Sequence, residues 1–146
     1  MVGGGPAGLS AALVLGRARR RTLVVDAGEP RNAAAAAAHG AFTRDGTPPG
    51  ELLRIGREQL VPYPSVELRA GEAIAARHTI DGFEIDLADG VSIRTRAVVL
   101  AAGVVDELPA TPGFRELWGR GIYHCPYCHG WEVRDQPLAV GANGAT

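Results

Sequence analysis

Both cysteines of the chain lie in "HCPYCH", residues 124–129, and each carries a histidine on its outer side. Thiols and imidazoles at this density support three chemistries: a zinc clasp, a c-type haem tether (whose signal is Cys-x-x-Cys-His), or a redox dithiol. A structural zinc site draws two ligands from one short knuckle and two from a separate segment. Here the remaining histidines, His39 and His78, stand alone in the sequence. Adjacent residues such as His124 and Cys125, or Cys128 and His129, rarely both reach one tetrahedral ion. A haem tether needs export to an oxidising compartment, and no charged-apolar-small leader precedes the first motif. The dithiol reading fits best. Cys-x-x-Cys at the start of a helix sets two sulfurs one turn apart, close enough for an exchangeable disulfide. A helix amino end and a neighbouring imidazolium both favour the thiolate. Pro126 suits a first helical turn, where its missing N–H costs little. Cys125 and Cys128 are thus the candidate redox pair, and His129 the candidate proton carrier near neutral pH.

A second constellation opens the chain. In "GGGPAG", Gly3, Gly5 and Gly8 have the Gly-x-Gly-x-x-Gly spacing of a dinucleotide fingerprint. The first glycine permits a tight turn, the second lets the backbone approach a pyrophosphate, and the third lets the helix pack close. The helix amino end then presents N–H groups and partial positive charge to phosphate. Such loops are common, but here a helix-period run through Leu9, Leu13 and Val14 follows at once. Asp26 then ends the next strand, "RTLVVDAG", at the distance expected of a ribose-binding acid. The fingerprint alone does not choose among dinucleotides.

These groups need elements to hold them. A loop through "GEPRN", a six-alanine run at 33–38 and "HGAFTRDGTPPG" leads to a helix over "ELLRIGREQL". The period then changes to two, giving strands at "VELRA", "GFEIDLADGVSIRT" and "AVVLAAG", with Asp89-Gly90 as a hairpin turn. "DELPATPG" is a breaker-rich link and a candidate domain crossing. A helical patch "FRELWGRG", the cysteine stretch and a last strand "PLAVG" follow it. The order predicts an α/β fold, with a parallel Rossmann-like sheet and an added antiparallel meander, and domains at 1–113 and 114–146.

Composition narrows the function classes. The chain has 146 residues, 46% apolar and 21% charged, with a net charge of −1. No basic face advertises nucleic acid. No apolar run reaches the ~18 residues of a membrane span. All fifteen basic residues are arginine, which beside so much alanine reads as compositional bias. Two cysteines in a chain of this type more often mean redox or metal work than a crosslink, so the expected compartment is the cytoplasm.

The order of these parts resembles the thioredoxin reductase family of flavoproteins. "GGGPAGLSAA" resembles its FAD loop, "AVVLAAG" its later strand closing over the flavin, and "GRGIYHCPYCHGWEVRDQPLAV" its redox segment. The likeness runs through essentially the whole chain. It implies FAD on the first domain, with Gly3, Gly5, Pro6, Ala7 and Gly8 around the pyrophosphate and Asp26, Arg31 and Asn32 on the ribose side. Gly103 lies near the cofactor. It further implies an inserted NADPH-binding domain bearing the dithiol, with Cys128 facing the flavin and Cys125 exchanging with substrate. Electrons pass among NADPH, flavin and the disulfide, and the partner is a thioredoxin-like protein or a small dithiol or disulfide. The full-length protein is expected to be a homodimer, and this chain its amino-terminal part.

Two features depart from that pattern. Thioredoxin reductases commonly carry an aspartate after the second cysteine, where this chain has His129. Cys-Pro-x-Cys-His-Gly is similar to a branch containing small-molecule dithiol oxidases that return electrons to oxygen. In "AVGANGAT", Ala142 and Gly144 occupy the first and third glycine positions of an NADPH fingerprint. Alanine at the tight turn is less permissive than glycine. An alternative of another class is a zinc-binding interaction module on a nucleotide-fold scaffold.

Overall fold

A computed structural model describes residues 1–141 of the chain. Strand β1 (Thr22–Asp26) is its axis, pairing in parallel with β2 (Val66–Ala70) in the register Thr22 to Val66 through Asp26 to Ala70. On its other side Val2 bridges in parallel to Val25 and to Leu100. The ladder bonds there run from the Val25 N–H to the Met1 carbonyl (2.9 Å), Val2 N–H to Val99 (3.0 Å) and Ala101 N–H to Val2 (2.7 Å). The parallel layer therefore reads β2, β1, Val2, Leu100. "AVVLAAG", expected as a full strand, contributes only this one bridge.

Side chains alternate across a strand, so β1 serves two cores at once. Val24 faces helix α1 (Pro6–Arg17) and helix α2 (Pro49–Glu58), in a cluster with Leu9, Ala12, Leu53 and Leu60. Val25 faces the opposite way, onto Ile85 and Leu87 of an antiparallel meander. Asp26 shares Val24's parity, which delivers its carboxylate to the helix side of the sheet.

Helix α1 buries Leu9, Ala12 and Gly16, spaced i, i+3 and i+7 on one face, with Leu13 packed at its margin. Val14, expected on that face, is 66% exposed; one residue beyond Leu13 carries it 100° round the helix. The helix ends in paired bonds from the Arg19 N–H to the Gly16 carbonyl and the Arg20 N–H to Leu15. Arg19 takes the left-handed conformation at φ 56° that this cap requires.

The meander comprises β3 (Ala73–Thr79), β4 (Gly82–Leu87) and β5 (Ser92–Thr95), in that spatial order. Asp89 and Gly90 turn the hairpin as expected, with Gly90 at φ 85°. Strand β3 has no sequence expectation behind it. "AIAARHT" shows neither period, and pairing with β4 from Ala73↔Leu87 to Thr79↔Gly82 makes it a strand. Beyond the sheet, the chain from 104 to 113 has no regular structure. Two single-turn helices follow, α3 (Phe114–Leu117) and α4 (Pro126–His129). Residues 137–141, expected as a strand, form no ladder among the described residues.

Candidate active site

The glycine turn sits where Val2 ends its bridges. Gly3 donates its N–H to the Val25 carbonyl (2.8 Å) at φ 100°, a region that favours glycine. A Cβ there would collide with the Ala101 carbonyl, and one on Gly8 would collide with the Gly3 carbonyl. Both glycines are thus required by the protein's own packing. Gly5 differs: it is the N-cap of α1, has no side-chain cap, and a Cβ on it would meet nothing within 4 Å. That open position, followed by Pro6 and Ala7 in the exposed first turn, is where a pyrophosphate could approach the helix amino end. The residues present therefore fit the cofactor's phosphates.

Asp26 is already engaged. Its Oδ1 accepts the Gly4 N–H at 3.0 Å, and its Oδ2 accepts from Arg57 of α2 at 3.1 Å. Sequence reasoning missed both neighbours, because Gly4 is a variable position of the fingerprint and Arg57 lies in a helix with no motif of its own. The carboxylate borders a recess of about 250 Å³ lined by Gly4, Leu9, Arg57, Leu68 and Gly71. Arg31 forms a two-pronged pair with Asp106, at 2.8 Å from Nε and 2.6 Å from the terminal nitrogen. Those bonds hold the Asp106 carboxyl below the usual carboxylate range. Asn32 lies half-buried in the same 3-10 turn, Arg31–Ala34, and its carbonyl accepts the Ala35 N–H. Gly103 is exposed at φ 72°, two residues beyond the Ala101 carbonyl that Gly3 touches. Ala142 and Gly144 lie outside the described residues.

At the other constellation Cys125 and Cys128 form a disulfide, with Cα atoms 5.3 Å apart. Cys125 is the N-cap of α4, Pro126 takes the first helical position, and the Cys128 N–H points at the Cys125 Sγ at 3.2 Å. The expected help from a helix dipole is corrected here. A helix of one turn sums too few peptide dipoles, so the donor offered to sulfur is this single N–H. Tyr127, between the two cysteines, and Trp131, three residues after them, are 94% and 71% exposed.

His129 is stacked on Tyr123, ring centroids 4.7 Å apart and planes 18° from parallel. Both of its ring nitrogens are buried without a hydrogen-bond partner. His39, which stood alone in the sequence, meets it edge-on with centroids 6.5 Å apart. Small residues make that meeting possible. The turn after α3 brings Gly119, at φ 76°, onto Ala34, where a Cβ would be only 3.0 Å from three of its atoms. Ala34, within the alanine run, is thus where the turn after α3 packs closely. His124 instead stacks on Trp118, which stacks on Phe114. His78 lies in the meander against Phe83. Among the described residues no three histidine, cysteine or carboxylate side chains converge as a metal site.

Comparison with known proteins places these groups in context. The family model for pyridine nucleotide-disulphide oxidoreductases matches residues 1–145. Thioredoxin reductase tcpT of Claviceps purpurea is 39% identical over 147 residues, covering 99% of this chain and 46% of that protein. Thioredoxin reductase aclD of Aspergillus oryzae is 39% identical over 149 residues, covering 97% and 47%. A solved oxidoreductase from Agrobacterium tumefaciens superposes with a TM-score of 0.86 at 44% identity, covering 91% of this chain and 45% of that one. The chain spans less than half the length of each of these proteins.

Proposed function

Because this chain belongs to the pyridine nucleotide-disulphide oxidoreductase family, we propose that the protein it represents is an FAD-dependent thiol-disulfide oxidoreductase of the thioredoxin reductase type. The observation that carries this reading is the Cys125–Cys128 disulfide with His129, whose ring nitrogens have no hydrogen-bond partner, next along the chain. A pair held one turn apart can open and close without moving the backbone far. Cys125 is the exchanging sulfur: the Cys128 N–H already directed at its Sγ stabilises negative charge when the bridge opens. His129 takes the proton from an attacking thiol and returns it to the departing thiolate.

Gly3, Gly5, Pro6, Ala7 and Gly8 hold the FAD pyrophosphate, and Asp26, Arg31 and Asn32 line its ribose side, with Gly103 near the ring. When bound, the flavin supplies the two-electron carrier between a nicotinamide and the disulfide. NADPH is held by a second domain starting at residue 114, with Ala142 and Gly144 in its fingerprint. The partner is a thioredoxin-like protein or a small disulfide, and the working form is a cytoplasmic homodimer.

A second reading rests on His129 standing where an acid is expected: the same residues oxidise a small dithiol and electrons return to oxygen. Stopped-flow mixing of the full-length protein with NADPH, thioredoxin or oxygen separates the two. Rapid flavin reduction by NADPH with thioredoxin turnover supports the reductase; slow reduction with rapid reoxidation by oxygen supports the oxidase. A colourless protein, or full turnover by the Cys125→Ser, Cys128→Ser double variant, would overturn both. Stoichiometric zinc without flavin absorbance would identify the metal-binding module instead.

A further inference from the structure

Arg57 stands beside the proposed ribose-binding acid without a task of its own. It lies on α2 one turn beyond Leu53, which seats that helix in the core. Gly56 lets the helix come close, since a Cβ there would be 2.9 Å from the Leu9 side chain. The two glutamates of α2, Glu51 and Glu58, are both paired with Arg54. Arg57 instead reaches off its helix to the end of β1, where a terminal nitrogen lies 3.1 Å from Asp26 Oδ2.

The acid is thereby held from two sides. Its Oδ1 accepts the Gly4 N–H at 3.0 Å, and a Cβ on Gly4 would fall 2.7–2.8 Å from three atoms of the Asp26 side chain. A carboxylate offers about four acceptor sites, so roughly two remain for hydroxyl donors once the Gly4 and Arg57 bonds are made. The carboxylate borders the recess of about 250 Å³, whose walls at Gly28 and Gly71 carry no side chain. Leu9 and Leu68 supply apolar surface beside it.

Charge gives the pairing a second consequence. Asp26 takes an N–H from the same glycine turn that would receive a pyrophosphate, so an uncompensated carboxylate there would repel the phosphates. The Arg57 guanidinium offsets that charge. We infer that Arg57 is a positioning residue for the flavin nucleotide, fixing the Asp26 carboxylate for the ribose hydroxyls and cancelling its charge beside the pyrophosphate. It acts through Asp26 rather than on the cofactor. The inference rests on the flavoprotein reading above. The pair is partly exposed, at 45% and 27%, so it adds little to stability and its effect on binding is separable from folding.

The test is a double-mutant cycle on the full-length protein, stripped of flavin and titrated with FAD by quenching of flavin fluorescence. Arg57→Met, Arg57→Lys and Asp26→Asn are compared with wild type, as are the two Arg57 changes in the Asp26→Asn background. Each stripped protein is also melted. Arg57→Met is expected to weaken FAD binding about tenfold, with a melting temperature close to wild type. Arg57→Lys, which keeps the charge and loses the planar donor, is expected to weaken it about threefold. In the Asp26→Asn background, Arg57→Met is expected to cost less than about twofold, because its partner is already gone. Wild-type affinity in Arg57→Met overturns the inference. So does an undiminished loss in the Asp26→Asn background, which would mean that Arg57 acts on the cofactor directly or only on the fold. Where Arg57→Met fails to fold, Arg57→Lys in the two backgrounds decides by the same criterion. A stripped wild-type protein that takes up no FAD sinks the flavoprotein reading instead, so the two failures are distinct.

Discussion

Gly3 and Gly5 belong to one motif but answer to different constraints. Gly3 is held by its φ of 100° and by the Ala101 carbonyl, so a methyl group there must displace backbone. Gly5 faces open space and has an ordinary φ of −72°. Gly3→Ala is therefore expected to destabilise even the flavin-free protein by roughly 2–4 kcal/mol, as backbone strain and overpacking do. Gly5→Ala is expected to stay within about 1 kcal/mol of wild type in the same melt, a modest N-cap effect. Its flavin affinity should nevertheless fall by about tenfold or more, equivalent to one lost ~1.4 kcal/mol contact. Thermal unfolding of stripped protein and flavin titration of the full-length variants check both halves; equal melting losses would refute the division. The spacing of these glycines was legible in the sequence, because backbone geometry dictates residue type there. The Asp26–Arg57 pair and the His39–His129 contact were not. Each joins residues far apart in the chain through side chains whose types are unremarkable one at a time.

Elements were legible to the extent that their period was set by burial on one side. Helix α1 and strand β1 show this most clearly, since Leu9, Ala12 and Val24 pack into one cluster. Strand β3 escaped notice because Ile74 through His78 are exposed on both faces, and its place is fixed by β4 rather than by its own apolar pattern. Charge does part of the work there. Glu84 is held below the usual carboxylate range by Arg94, at 3.0 Å, and by Arg77. Asp86 is lowered by the Ser92 hydroxyl, at 2.6 Å, and by Arg77. Asp89 is lowered by the Val91 N–H, at 3.1 Å, and by Arg69. Each folded-state value lies below its unfolded one. These carboxylates therefore stabilise the fold above the unfolded range near pH ~4 and lose that contribution as pH falls through their folded values. Arg77→Met, which removes a partner of both Glu84 and Asp86, is expected to flatten the acid limb of the urea midpoint between about pH 5 and 3. The pairs are exposed, so the limb should also weaken in concentrated salt. A limb unchanged by the substitution would assign acid sensitivity to other groups.

At the scale of the whole molecule, the two constellations are joined by a segment with little structure. Residues 104–113 form no ladder or helix, and Val104 and Val105 are 59% and 95% exposed. The crossing expected at "DELPATPG" lies in this segment, whose breaker-rich composition was legible in the sequence while the contacts that tie it down were not. Among the contacts that tie these parts together are Gly119 seated on Ala34 and the paired hydrogen bonds between Arg31 and Asp106. The second is the only side-chain hydrogen bonding that residues 104–113 make among the described residues, and it ties the link to the 3-10 turn Arg31–Ala34. Exposed backbone with few ties opens locally, and a protease reads that opening. Limited proteolysis of the full-length protein is expected to cut first within residues 104–113, yielding a piece that ends near the boundary proposed at 113. Asp106→Asn keeps the side-chain shape but removes the charge that Arg31 grips, and should speed that cut by about two- to fivefold, the range a single exposed bidentate pair commands. A first cut elsewhere, with the link left intact in both proteins, would mean that the dithiol segment is not a separately docked unit and that 113 is not a domain boundary.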